Sequence, residues 1–179
     1  MNAILVTPPA TFPVTLDEAK NFLRVDGSED DDLINGAIAT ATQLAEAWTK
    51  RAFITQGWEV VLDQSPAGAL VLPKPPLVEV ASVTVIGDDG GETIVPPDTY
   101  WADRFGRLMN ARGHAWPHHR GFASFIVAFT AGYGLAASVP APIKQAILQA
   151  VGHLYANREA QELPPGAETL LRPYLVYRM

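Results

Sequence analysis

From Phe129 to Glu159 the chain leaves a strand, passes a glycine turn and two prolines, and enters one long amphipathic helix. Ile143, Ala146, Ile147, Ala150, Val151, Leu154 and Tyr155 recur at the spacing of a single helical face. Pro140 and Pro142 suit a first turn, where a missing N–H costs little. The spacing predicts a helix over about 142–159, roughly 25 Å long at 1.5 Å per residue. Such a helix needs a partner for its apolar face, and the rest of the chain must supply it. It carries no catalytic constellation, which tilts the reading towards a structural or assembly protein.

The partner is legible upstream. Thr15-Leu-Asp-Glu18 is a capping box, and a short helix should follow with Leu16, Ala19, Phe22 and Leu23 on one side. Asp26-Gly27 ends it. Glu29, Asp30, Asp31 and Asp32 then favour a new helix N-terminus through the macrodipole. The second helix should run from Glu29 to about Arg51, with Leu33, Ile34, Ala37, Ile38, Ala41, Leu44, Ala45 and Trp48 as its stripe. Residues 1–14, with Pro8, Pro9 and Pro13, read as an extended lead-in.

Between the helices the period changes to two. Strands are predicted at Thr55–Leu62, Ala69–Leu72, Val78–Ile86, Glu92–Val95, Thr99–Ala102, Gly106–Met109 and Ala123–Thr130. Gly87-Asp-Asp-Gly-Gly91 reads as a hairpin turn. The fold class is therefore α+β: a helical core of two long helices plus short helices, about 16–51 and 142–159, with an antiparallel β insertion at about 54–131. Residues 163–179 read as a C-terminal tail segment, with a turn or two of helix around Leu170, Leu171, Tyr174 and Leu175.

Composition narrows the function. The 179 residues include no cysteine, which excludes disulfides, thiolate metal sites and thiol catalysis. A net charge of −6 argues against a general nucleic-acid binder, which favours a basic face. Only 18% of residues are charged against 48% hydrophobic, lean for a free monomer's surface and suited to one covered by partners. Met-Asn-Ala-Ile-Leu-Val lacks the basic start of a secretion signal, and no run is long enough to span a membrane. A protein made in the cytoplasm and kept there until assembly is expected.

Several groupings could carry chemistry. His114, His118 and His119 lie in a Gly- and Pro-punctuated loop without a His-Glu-x-x-His pattern, so a metal site is poorly supported. Consecutive Glu29–Asp32 lacks the alternate ligand spacing of a calcium loop. Gly132 and Gly134 are not followed by Lys-Ser/Thr, so a positive-φ turn explains them better than a phosphate loop. None of Ser28, Ser65, Ser82, Ser124 and Ser138 sits in a nucleophile elbow. The segment 104–120 is basic, with Arg104, Arg107, Arg112 and Arg120 and no acid after Asp103. With Trp101, Phe105 and Trp116 interleaved, it is the candidate contact with phosphate or an acidic neighbour; the alternative is a solvated loop anchored by aromatics.

The order of motifs resembles the phage head–tail connector, or adaptor, family of tailed phages and gene transfer agents. It is carried by Pro13-Val-Thr-Leu-Asp-Glu-Ala-Lys20, Phe22-Leu-Arg-Val-Asp26, Asp30-Asp-Asp-Leu-Ile34, Ile54-Thr-Gln-Gly-Trp58, Leu72-Pro-Lys-Pro-Pro-Leu77, Phe129-Thr-Ala-Gly-Tyr-Gly134, Ile143-Lys-Gln-Ala-Ile147 and His153-Leu-Tyr-Ala-Asn-Arg-Glu159. The resemblance implies a non-enzymatic, cofactor-free protein of the neck of a virion or virion-like particle, assembled in the host cytoplasm. It implies a homo-oligomeric ring, expected to be dodecameric, beneath the portal protein. That ring would extend the DNA channel and dock a stopper or tail-completion protein. Residues 1–162 would form a single adaptor domain, and 163–179 would reach into the portal. Leu170, Leu171, Arg172, Tyr174, Leu175, Tyr177 and Arg178 are the portal-contact candidates, with Leu170, Leu171, Tyr174 and Tyr177 expected to be exposed. Arg104, Arg107, Arg112, His118, His119 and Arg120 are the candidates for a neighbour or for weak, non-specific contact with passing double-stranded DNA. The alternatives are a metal-dependent hydrolase or a DNA-binding protein using 104–120.

Overall fold

Thr15 opens the first helix as its capping box requires. Its hydroxyl accepts from the Glu18 N–H and the Glu18 carboxylate accepts from the Thr15 N–H. The computed structural model describes residues 3–157 and 159–177. They form two units: one built from the chain's first residues to Pro9 and Thr55–Tyr133, the other from Ala10–Ile54 and Gly134 onward.

The second of these is helical. Helix α1 (Leu16–Leu23) ends at Arg24 in the left-handed region, and α2 spans Asp31–Thr49. α3 covers Ala141–Ala156 and α4 Pro165–Leu171, followed by a 3-10 turn at Arg172–Tyr174. α2 packs along α3, as their apolar stripes demand, and α4 lies on α3. Ile143, Ile147 and Val151 are fully buried, each contributing about 1.5–3 kcal/mol of transfer free energy. The buried face of α2 is Ile34, Ala37, Ile38, Ala41, Thr42, Ala45 and Thr49; Leu33 lies at its exposed margin, and Leu44 and Trp48 are half-buried. Thr42 and Thr49 are admitted to that face because each hydroxyl donates to the carbonyl four residues back.

The other unit is built on antiparallel sheets. Strands β1 (Ala3–Thr7), β2 (Gln56–Leu62), β4 (Leu77–Ile86), β5 (Glu92–Ile94) and β8 (Phe125–Ala131) make a five-stranded sheet in the order β1-β2-β8-β4-β5. Strands β3 (Leu70–Val71), β6 (Tyr100–Ala102) and β7 (Arg107–Asn110) make a three-stranded sheet in the order β3-β7-β6. β8 is central: Phe129 pairs with Trp58 and Val80, Val127 with Val60 and Val83, and Phe125 with Val85. All of these except half-buried Val80 are buried, so one face of the large sheet is apolar.

Two details of the strands go beyond the sequence reading. Within the extended lead-in, Ala3–Thr7 forms an edge strand on β2. The prolines start only at Pro8 and leave Ile4, Leu5 and Val6 free to pair. In β4, Val83 and Val85 are buried but Val78 is 55% exposed. Register shifts between Leu77 and Glu79 and between Val80 and Ser82 displace it. The change of parity from 78 and 80 to 83 and 85 is what an extra residue in one strand produces.

Candidate interaction surfaces

The β6–β7 hairpin is organised by Asp103. Its Oδ1 accepts from the N–H groups of Phe105 at 2.9 Å and Arg107 at 3.0 Å. Its Oδ2 accepts from Arg107 Nε at 2.6 Å and sits 2.6 Å from the outer guanidinium nitrogen. The Arg107 N–H is the foremost cause holding this carboxyl below its usual range; slight desolvation opposes, and the guanidinium adds to the lowering. Gly106 closes the turn at φ +82°, where a Cβ would also meet the Leu72 carbonyl oxygen at 3.3 Å. Arg107 is thus bound to the hairpin itself rather than free for a partner.

Pairing register then decides what the small sheet presents. Trp101 lies opposite Met109, and Val71 opposite Arg107. Since side chains alternate along a strand, these four share one face, and Leu108 points to the other, where it is buried. Val71 is 58%, Trp101 60% and Met109 45% exposed, and Phe105 at the hairpin tip is 62% exposed. The Arg104 guanidinium sits 4.9 Å from the Phe105 ring centroid. Four large apolar side chains open to solvent on one small element are the mark of a contact surface.

The rest of 104–120 divides between anchors and free groups. Trp116 is an anchor: it meets Phe125 edge-on at 4.9 Å and Tyr100 at 6.2 Å. His119 is another. The Ser65 N–H donates to its Nε2 at 3.0 Å, so Nδ1 carries the proton and donates to the Pro117 carbonyl at 3.0 Å. Both nitrogens are used inside the fold. The Arg120 N–H donates to the Ile86 carbonyl, and its Nε donates to that of Phe122. His118 is exposed and meets Asp88 at 2.9 Å. Arg104 and Arg112 have no ion pair among the described residues. No group of three or more His, Asp or Glu among the described residues could hold a metal ion.

The C-terminal segment is part of the helical unit. Leu163 and Ala167 are buried, and Leu171 is 0% exposed, which corrects the expectation of an exposed Leu171. Position 171 lies four residues after Ala167, so both share the face that α4 lays on α3. The Val176 N–H donates to the Thr49 carbonyl, and Arg51 Nε donates to that of Tyr174. Leu170, Tyr174 and Leu175 are half-buried, Arg172 is exposed, and Tyr177 is 72% exposed. Arg178 lies outside the described residues.

Two features escaped the sequence reading. One is the exposed apolar edge of β1, with Ile4, Leu5 and Val6; the run of β-favouring residues before Pro8 was its signal. The other is an open hollow of about 370 Å³ on the helical unit, lined by Asp32, Leu33, Gly36, Ala37, Thr40, Leu154 and Ala160. No periodicity announces it, because it depends on how α2 meets the chain after α3.

Comparison with known proteins supplies the context. Residues 13–85 match the model of the phage gp6-like head-tail connector protein family, so the resemblance drawn from the motifs holds. No curated protein matches the chain. Among solved structures, the chain is similar over 100% of its length to 97% of a chain in the neck of an empty gene transfer agent particle, computed with C6 symmetry. The TM-score is 0.84 and the identity 22%. Chains in the virion of a native gene transfer agent particle and in the neck of the native particle, computed with C12 symmetry, match with the same coverage and identity at TM-score 0.83. At that identity the likeness establishes the fold.

Proposed function

We propose that this protein is a structural head–tail connector, a subunit of the ring that joins the head of a virion or virion-like particle to its tail. The observation that carries the reading is the end-to-end match of its fold to a neck chain, together with the connector-family match over 13–85. The neck structures with C6 and C12 symmetry support a cyclic homo-oligomer, and twelve copies fit both. No residue is asked to perform chemistry. The subunit extends the DNA channel beneath the portal protein and offers a docking face to a stopper or tail-completion protein.

The surfaces described above fit that role. Tyr177, Arg172 and the half-buried Leu170, Tyr174 and Leu175 form the portal-facing end, with aromatic and arginine side chains of the kind that anchor protein interfaces. Leu171 serves by holding α4 in place. Arg112 supplies weak, sequence-independent contact with passing duplex. Electron microscopy of the purified protein mixed with portal protein tests the proposal. Rings seated on the portal are expected; a monomer that ignores portal at micromolar concentration overturns it.

A further inference from the structure

Resting on the ring reading above, we infer that the subunit-to-subunit contact is made by the β6–β7 hairpin tip of one copy seating in the acid-edged hollow of the next copy's helical unit. The hairpin supplies the projecting half: Phe105, exposed at the tip, with the Arg104 cation over its ring. The Asp103–Arg107 bonds and the left-handed Gly106 hold that tip in shape before any partner arrives, which lowers the ordering cost of docking. The hollow supplies the receiving half. Leu33, Ala37 and Leu154 give it apolar walls, Gly36 leaves its floor open, and Asp32 stands at its margin.

Charge commits the occupant. Arg104 has no carboxylate partner and Asp32 no cation among the described residues, while the nearby Asp31 is already paired with Lys20. A hollow with apolar side chains in its wall and an unmatched acid beside them calls for an apolar group carrying a cation, and the Phe105–Arg104 tip is one. The two halves are different surfaces, so the contact is heterologous, and repetition by rotation closes it into a ring.

The chain's lack of cysteine makes the test direct. Phe105→Cys and Gly36→Cys are made in separate chains, mixed, assembled on portal protein and oxidised. Covalent dimers are expected in the mixture and in neither variant alone. Arg104→Glu should lower ring yield about tenfold, and adding Asp32→Arg in the same chain should restore it. Rings that form normally but give no dimers in the mixture, or a charge pair that does not rescue, overturn this contact and leave the connector reading standing. A wild-type protein that forms no ring with portal overturns both.

Discussion

Lys144 Nζ lies 2.7 Å from Glu18 Oε1, and this bond ties the first turn of α3 to the first turn of α1. Glu18 therefore has two duties, since its other oxygen accepts from the Thr15 N–H to complete the capping box. The Lys144 hydrogen bond is the main cause holding the Glu18 carboxyl below its ordinary value, with the Thr15 N–H second. Both partners are partly exposed, so solvent screens the pair; a double-mutant cycle with Glu18→Gln and Lys144→Met should return a coupling of about 0.2–1 kcal/mol. Because the folded carboxyl is lowered, its contribution is present in full above the ordinary glutamate range and is lost as pH falls through the lowered value. Urea unfolding across that acidic window should show wild type losing more stability than Glu18→Gln; parallel curves would contradict the assignment.

Leu171 and Tyr177 separate folding from docking. Leu171→Ala empties a fully buried position between α4 and α3 and should cost about 2–5 kcal/mol, read as a lowered urea midpoint. Tyr177→Ala should leave stability within about 0.5 kcal/mol and weaken binding to portal protein instead. Equal stability losses for the two would show that the C-terminal segment is not divided in this way. Truncation before Leu163 confounds the two effects, because it also removes the buried Leu163 and Ala167.

His119 and His118 are neighbours with opposite expectations. His119→Ala leaves the Ser65 N–H without its acceptor and should cost about 1–3 kcal/mol. His118→Ala removes an exposed contact with Asp88 and should fall within about 0.5 kcal/mol of wild type. Thermal unfolding of the two variants side by side decides it, and an indifferent His119→Ala would refute the anchoring role.

Much of the fold was legible because its signals are local. Thr15 and Glu18 announce a helix start through bonds made within one turn, and Ile143, Ile147 and Val151 declare a buried face by spacing alone. The alternation of Phe125, Val127 and Phe129 likewise marks β8 as a strand with one buried side. The division of the C-terminal segment into Leu171 inward, at the end of α4, and Tyr177 outward, beyond it, was not legible, since an apolar side chain looks the same whether it meets its own chain or another.

Local signals were enough to place every α-helix and all the strands except β1, with most of their limits, and the lack of cysteine rules out thiol chemistry. Those properties follow from dihedral preference, capping and periodicity, which act over a few residues. Folding in three dimensions places β8 between β2 and β4, puts Trp101, Met109 and Val71 on one exposed face, and consumes His119 internally. Those facts depend on pairings between residues far apart in the chain, such as Ser65 with His119 or Glu18 with Lys144. The physical reason is that any apolar strand can satisfy its ladder with several partners, and burial summed over the whole unit selects among them.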